Sequence, residues 1–267
     1  MAEISPSEFN AFLTFAHRLA DLSGATVLKY FRTEYTVEDK SDGGRYDPVT
    51  AADRAAEEVI RAEVASAWPD HAVAGEEFGG SVSDAEFCWI IDPIDGTRPF
   101  VAGLPTWGTL IGLSRNGTPV LGMMNQPFTG ERFWSGLDAA FYRGRDGERT
   151  ITTRACPALG DAILATSSPD LFATADDKAR FDVLSEQVRM RWFGGDCYAH
   201  CLIAAGQIDI IAESGLGAYD IAPLIPIIES AGGCVVSWDG SDAAAGGNAI
   251  SLGNPSLKDA VLKVLSG

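Results

Sequence analysis

The chain has 267 residues, of which 46% are hydrophobic, and carries a formal net charge of −17 at pH 7. This length and apolar content suffice for a sizeable core, in one large α/β domain or in two small ones. The negative charge predicts repulsion from nucleic-acid phosphates and from anionic membranes, so neither is an expected partner.

Segments that direct a chain to a membrane or out of the cell are not evident. No window reaches the roughly 18 uncharged apolar residues of a transmembrane helix. Residues 1–10 carry acids where a secretory signal has basic residues. The five cysteines are odd in number and scattered, which favours reduced thiols and a cytoplasmic location.

Helical spacing of apolar residues predicts two helices in the first 70 residues. The first opens at residues 5–8 with a serine cap, a proline and a glutamate, and its apolar positions continue to Phe31. The second follows Thr50 and Asp53, which resemble a capping box. Asp47 lies outside that cap and is not needed to start the helix, so it is a candidate functional carboxylate.

Short apolar runs predict strands at residues 35–37, 72–74 and 87–91, with a polar loop at 40–46. Five further runs, separated by turns such as Asn116–Gly117 and Asp146–Gly147, predict a largely antiparallel sheet. These runs are residues 106–113, 120–124, 132–135, 140–143 and 149–152.

Strands and helices alternate beyond about residue 153. The predicted strands are residues 163–166, 189–192, 208–212, 234–237 and 250–252, and the predicted helices are residues 177–188, 197–205, 220–231 and 255–265. We therefore expect an α/β (α+β) protein whose two halves, residues 1–153 and 154–267, pack into one unit.

The stretch from Phe87 to Thr97 carries the clearest chemical signal. A buried strand is expected to stop at Pro93, so the Asp92 carboxylate projects from its end. Asp95 follows across a turn, where the two carboxylates converge and repel each other unless cations lie between them. Oxygen-only ligands select hard ions, Mg²⁺ above all. The alternative for these residues alone is an ordinary surface Asp-Gly turn.

Other polar residues also have two interpretations. Glu76 follows a predicted strand and Asp220 begins a predicted helix, where acids are often solvated or favoured by the helix dipole. Cys197, His200 and Cys201 could line one helical turn as a soft-metal site, but no second pair completes a tetrahedron, and packed core thiols are the favoured alternative.

Four acidic segments together resemble the inositol monophosphatase superfamily of Mg²⁺-dependent, lithium-sensitive phosphatases. They occur in the family's order, although Tyr219 stands where the family usually has tryptophan. The resemblance implies a layered α-β-α-β-α sandwich, a small phosphate monoester as substrate, and a homodimer. The segments are residues 47–53, 75–77, 89–97, and 219–222 with 229–233.

The resemblance also implies roles for individual residues. Two to three Mg²⁺ ions would be held, with Asp92 as a bridge, and Glu76 and Thr97, with Asp47 behind Thr97, would position and deprotonate the attacking water. The amides of Gly96 and Thr97 would hold phosphate oxygens at a helix N-terminus. The implied metal ligands are Glu76, Asp92, the main-chain carbonyl of Ile94, Asp95 and Asp220.

Residues 97–111 and 193–200 are most similar to the histidinol-phosphatase branch of that superfamily. Asp196 and Glu213 would then face the alcohol side of the substrate, where two carboxylates favour an ammonium-bearing leaving group over a neutral polyol. Arg98 is the basic residue that the central motif offers to an anionic substrate. The alternative for Asp196 is a cap on the helix that follows Gly194–Gly195.

The expected reaction is therefore hydrolysis of L-histidinol phosphate in histidine biosynthesis. Inositol-1-phosphate, a nucleotide 3′-phosphate and fructose-1,6-bisphosphate are alternative substrates. Haloacid-dehalogenase-like phosphatases are disfavoured, because they need acids two residues apart near the N-terminus, whereas Asp92 and Asp95 are three apart. A non-catalytic regulator is also disfavoured, because such proteins usually lose a ligand or the water-activating group.

Overall fold

The computed structural model describes residues 4–33, 37–39, 48–82 and 85–266, and residues 37–39 and 48–50 are described by their backbone alone. The predicted loop at 40–46, most of the predicted strand at 35–37, and Asp47 lie outside these ranges. Among the described helices, none is both long enough and apolar enough to cross a bilayer.

The N-terminal segment forms two helices and a small hairpin of strands. Helix α1 (Pro6–Val27) begins as predicted, because the Ser5 hydroxyl accepts a hydrogen bond from the Glu8 amide at 3.2 Å. Strands β1 (Val37–Asp39) and β2 (Pro48–Thr50) pair antiparallel. Helix α2 (Ala51–Ala67) follows directly.

A seven-stranded sheet forms most of the first half. Its strands are adjacent in chain order; the first pair is parallel and the remaining pairs are antiparallel. A short helix, α3 (Thr97–Ala102), connects the second and third strands. The strands are β3 (Ala72–Gly75), β4 (Phe87–Asp95), β5 (Gly108–Arg115), β6 (Thr118–Gln126), β7 (Glu131–Ser135), β8 (Ala140–Gly144) and β9 (Gly147–Ile151).

Strand β4 is longer than predicted. The prediction that it stops before Pro93 and that a turn separates Asp92 from Asp95 is wrong, because the pairing with β5 resumes at Asp95 after a register shift. The missing proline N–H is tolerated within this bulge. The Thr109 hydroxyl also donates to the Pro93 carbonyl at 2.8 Å, which fixes the irregular segment.

The second half forms a mixed five-stranded sheet with helices between its strands. In chain order its elements are β10 (Ile163–Thr166), α4 (Ala175–Ser185), β11 (Met190–Phe193), α5 (Asp196–Ala204), β12 (Ile210–Leu216), α6 (Ala218–Ile221), α7 (Leu224–Ser230), β13 (Cys234–Ser237), β14 (Gly247–Leu252) and α8 (Lys258–Leu265). The spatial order is β11-β10-β12-β14-β13, and β10 runs parallel to β11 and β12, whereas β14 is antiparallel to β12 and β13.

The single helix predicted over residues 220–231 is divided into two. Asp220 does not begin a helix; it is the third residue of α6, whose N-cap is Gly217. Helix α6 ends at Ile221, and Pro223 is the N-cap of α7. Proline cannot donate the main-chain hydrogen bond that a continuous helix requires, which explains the break.

Three apolar clusters stack the elements into layers. Helices α1 and α2 cover one face of the seven-stranded sheet, helices α5 and α7 lie between the two sheets, and α4 and α8 cover the outer face of the five-stranded sheet. The predicted α-β-α-β-α sandwich is confirmed. The division of the chain at residue 153 stays a prediction, because both sheets share the middle layer of helices.

The middle layer also contains a buried histidine. His200 on α5 lies with Nδ1 2.9 Å from the Ser251 hydroxyl on β14, and burial lowers its pKa to about 4. Cys197 and Cys201 are buried in the surrounding apolar cluster. These contacts favour packed core thiols over a soft-metal site at this helix.

We expect His200 to make stability depend on pH. Its pKa lies near 4 in the folded protein and near 6.5 in the unfolded chain, so the unfolded chain binds the extra proton between these values. The contribution is fully present above about pH 6.5 and is lost as the pH falls towards 4. The free energy of unfolding, measured in urea, should therefore depend less on pH in His200→Gln. Between pH 7.5 and 4.5 it should fall by about 2–3 kcal/mol less than in the unchanged protein. Identical pH profiles for the two proteins would contradict this.

Candidate active site

A cleft of about 350 Å³ opens between the two sheets, at the ends of β4, β10 and β12. Acidic side chains converge in it from both halves of the chain. A larger groove of about 560 Å³ lies between α4 and α8, but its described lining carries no carboxylate. The cleft is lined by Glu76, Asp92, Ile94, Asp95, Gly96, Thr97, Arg98, Ser167, Leu171, Asp196, Glu213, Ser214, Gly215, Leu216, Gly217, Tyr219 and Asp220.

The bulge in β4 aims two carboxylates into the cleft. Asp92 is 1% exposed, and its Oδ1 accepts a hydrogen bond from the Ile94 amide at 3.0 Å. Asp95 Oδ2 accepts one from the Cys197 amide, at the start of α5, at 2.5 Å. Main-chain donors thus hold both side chains in orientation, one from the same strand and one from the opposite half of the chain.

Asp220 approaches the same point from α6. Its Oδ2 accepts a hydrogen bond from the Gly217 amide at 2.7 Å, which orients the side chain within the first turn of that helix. One oxygen each from Asp92, Asp95 and Asp220 lie within 4.8 Å of one another. The structure therefore brings together three of the predicted metal ligands.

A second group of carboxylates shares Asp92 with the first. One oxygen each from Asp53, Glu76 and Asp92 also lie within 4.8 Å of one another. Asp53 is buried on α2 and was predicted only as part of a capping box. The sequence does hold a signal for it, because Asp53 and Glu57 occupy positions on the apolar stripe that continues through Ile60.

Burial and like charge strain this cluster electrostatically. Burial, and then repulsion from Glu76, Asp95, Asp220 and Asp53, raise the pKa of Asp92 well above its usual value. Burial and repulsion from Asp196 and Asp220 likewise raise the pKa of Asp95, although the Cys197 amide opposes the rise. Hard divalent cations such as Mg²⁺ fit this donor set, because the ligand atoms are carboxylate oxygens that converge on one point.

The N-terminus of α3 borders the acidic cluster. Gly96 is its N-cap with φ 87°, and a side chain there would crowd Trp107 and Asp196, so glycine is required. The Thr97 hydroxyl does not cap this helix, because it donates to the Ile94 carbonyl at 3.3 Å. Gly96 and Thr97 both line the cleft, as a phosphate site at this helix end requires.

Two more acids line the cleft, Asp196 at the start of α5 and Glu213 on β12. Glu213 accepts hydrogen bonds from the Thr166 hydroxyl at 3.0 Å and from the Ser167 amide and hydroxyl at 2.6 and 2.9 Å. Burial, opposed by these bonds, raises its pKa to about 7. Burial also raises the pKa of Asp196 to about 6, against a hydrogen bond from Ser167 and the charge of Arg98.

The capping role considered for Asp196 is wrong. The N-cap of α5 is Gly195, and Asp196 is the first helical residue, with φ 42°. Arg98 is exposed at the rim of the cleft, close enough for its charge to act on Asp196. With the exception of Asp47, which lies outside the described ranges, the structure places every predicted site residue on this cleft. Ser167 in the cleft and Asp53 beside Asp92 are additions that the sequence analysis did not assign to the site.

Comparison with proteins of known family agrees with the resemblance seen in the sequence. The inositol monophosphatase family matches residues 9–266. A chloroplastic bifunctional phosphatase of Arabidopsis thaliana, IMPL2, is 38% identical over 99% of this chain and 78% of its own length, and a histidinol-phosphatase of Mycobacterium tuberculosis is 35% identical over 95% and 97%. The structure of an inositol monophosphatase from Zymomonas mobilis matches with a TM-score of 0.85 and 37% identity, over 97% of this chain and 99% of that one. The chain belongs to the inositol monophosphatase family.

Proposed function

We propose that the chain is a Mg²⁺-dependent phosphomonoesterase that hydrolyses L-histidinol phosphate to L-histidinol and phosphate in histidine biosynthesis. Family membership makes it a phosphatase of phosphate monoesters. The observation that carries the assignment of the substrate is the presence of two further acids in the cleft, Asp196 at the start of α5 and Glu213 on β12. The name of the mycobacterial relative agrees with it.

The proposed metal site uses side chains from three elements. Its carboxylate oxygens lie close enough together to share cations, and burial and repulsion from the neighbouring acids raise the pKa of Asp92. Two to three Mg²⁺ ions would neutralise phosphate charge and lower the pKa of the attacking water. The proposed ligands are Glu76, Asp92, the carbonyl of Ile94, Asp95 and Asp220.

The chain's own groups would position the other reactants. The amides of Gly96 and Thr97 hold phosphate oxygens at the start of α3. Glu76 and the Thr97 hydroxyl orient the attacking water, and Asp47 receives its proton in this proposal. Phosphoryl transfer depends mainly on positioning and charge neutralisation, so no cysteine or serine nucleophile is needed.

Charge favours an amine in the leaving alcohol. Burial raises the pKa values of Asp196 and Glu213, and an ammonium group between them would stabilise their ionised forms. The hydroxyls of a neutral polyol would compensate those charges less well. Arg98, exposed at the rim, is proposed to attract the phosphate end of the substrate.

Inositol-1-phosphate is the principal alternative, because the similar structure from Zymomonas mobilis is an inositol monophosphatase. Phosphate release with Mg²⁺ from histidinol phosphate, inositol-1-phosphate, a nucleotide 3′-phosphate and fructose-1,6-bisphosphate tests the proposal. Histidinol phosphate should have the highest kcat/KM. An equal or higher value for another ester would reject the assignment.

The proposal includes a cytoplasmic homodimer. The five cysteines are free thiols, which is usual in a reducing compartment. Trp107 and Trp134 are buried in the core, whereas Trp192 is 58% exposed on the edge strand β11. Met190 on the same strand is also exposed, and together these two side chains are candidates for a contact between subunits.

Asp196→Asn should separate substrate recognition from chemistry. Asparagine keeps the shape and tolerates the positive φ of Asp196, but it removes the charge that would bind the ammonium group. We expect kcat/KM to fall about 10- to 100-fold on histidinol phosphate and to change little on p-nitrophenyl phosphate. Asp170→Asn, at an exposed acid near the cleft, is the matched control and should change neither rate. Equal losses on both esters would remove Asp196 from recognition.

Asp95→Asn should stabilise the metal-free protein and inactivate it. The change removes one of several carboxylates that repel each other, so without Mg²⁺ the free energy of unfolding should rise by about 1 kcal/mol. Addition of Mg²⁺ should then raise the melting temperature less than in the unchanged protein, and turnover should fall at least about 100-fold. Asp146→Asn, in an exposed turn, serves as the control. Substantial remaining activity would contradict the proposed metal cluster.

A further inference from the structure

We infer that Glu57 on α2 is a positioning residue that fixes the Glu76 carboxylate within the acidic cluster. This inference rests on the proposed metal-dependent function. Glu57 lies outside the cleft lining, and its carboxylate is fully buried. Charged side chains are rarely buried to this extent unless specific partners hold them, and the main-chain partners of Glu57 belong to the turn that carries Glu76.

The turn after β3 is tight and is held through its amides. The Gly75 amide donates to the Gly79 carbonyl at 3.0 Å, which closes the turn. Within it, the amides of Glu77 and Phe78 point inward and donate to the two Glu57 oxygens at 2.8 and 3.2 Å. Glu57 therefore binds the two residues that directly follow Glu76.

Glu57 packs so closely against the turn that no space remains between its carboxylate and the main chain of Gly75. A Cβ built on Gly75 would overlap the Glu57 carboxylate, so only glycine fits before Glu76. The side chain of Glu77 is also nearly buried and is paired with Arg54 at 3.3 Å. The residues on both sides of Glu76 are thus fixed against α2.

Arg61, one helical turn beyond Glu57, also binds the turn after β3. Its Nε donates to a Glu57 oxygen at 2.8 Å, and its two terminal nitrogens donate to the carbonyls of Val73, at 3.3 Å, and of Gly79. The guanidinium therefore binds the strand before the turn and the residue at its end. It also supplies the charge that a buried carboxylate needs.

Rigid support matters because Glu76 is repelled from the place it occupies. Its charge is the largest contribution among the neighbouring acids to the raised pKa of Asp92. A loosely held turn would relieve that repulsion by moving Glu76 away whenever no cation is bound. Because the turn is already ordered before a cation binds, less conformational entropy is lost on binding. Glu57 should therefore tighten Mg²⁺ binding.

Glu57→Gln in the full chain tests this by calorimetric titration with MgCl₂ and by the Mg²⁺ dependence of p-nitrophenyl phosphate hydrolysis. Glutamine keeps the size but weakens the acceptors for the turn amides and loses the ion pair with Arg61. We expect Mg²⁺ to bind about 10-fold or more weakly. The Mg²⁺ concentration that gives half-maximal hydrolysis should rise, and kcat at saturating Mg²⁺ should change less than that concentration. A purely structural defect would instead lower the active fraction at every Mg²⁺ concentration.

The matched control is Asp209→Asn. Asp209 is also fully buried, pairs with Arg154 and accepts the Ile163 amide at 2.7 Å, but it belongs to the other half of the chain. It should lose stability and keep Mg²⁺ affinity. Should Glu57→Gln fail to fold, Arg61→Gln, at a partly exposed residue, takes its place and should weaken Mg²⁺ binding about threefold or more.

Unchanged Mg²⁺ affinity in Glu57→Gln, or in Arg61→Gln where that variant replaces it, overturns the inference, as does an equal loss in Asp209→Asn. Mg²⁺ binding by the unchanged protein without turnover of histidinol phosphate overturns only the proposed substrate. Absence of Mg²⁺ binding in the unchanged protein overturns the metal-dependent function and this inference with it.

Discussion

The structure depends on holding several carboxylates together against their mutual repulsion. Asp92 is shared by two acidic groups that reach it from α2, from the turn after β3, from its own strand and from α6. Such a cluster costs free energy in the folded protein, and burial increases that cost. The surrounding fold must therefore supply fixed main-chain donors, because side chains free to rotate would separate the charges.

Irregular backbone supplies those donors. The bulge in β4 turns the Ile94 amide towards Asp92, the start of α5 offers the Cys197 amide to Asp95, and the Gly217 amide holds Asp220. In regular strands and helices these amides would donate to main-chain carbonyls and would not be available to the carboxylates. The departures from regularity thus occur where β4, α5 and α6 meet the cleft.

The regular parts of the fold could be predicted from the sequence, and the irregular parts could not. Apolar periodicity and turn residues located most helices and strands, because burial of one face fixes both. Pro93 suggested the end of a strand, since a proline inside a ladder is rare and a bulge that accommodates it depends on Thr109, which is distant in the chain. Asp53 was assigned to a cap because its local neighbours explain it, and only the folded chain brings it to Glu76 and Asp92.

Burial is what separates the functional from the ordinary interpretation of these acids. A cap or a solvated turn leaves its carboxylate in water, whereas Asp53, Asp92 and Glu213 are almost inaccessible. An acid removed from water needs hydrogen-bond donors, a proton or a cation. Main-chain amides donate hydrogen bonds to several of these acids. In the proposed function, cations compensate the remaining negative charge at two places in the cleft. Metal ions would do so beside Asp92, and the ammonium group of the leaving alcohol beside Glu213. One electrostatic requirement would then determine both where the phosphate binds and which alcohol can leave.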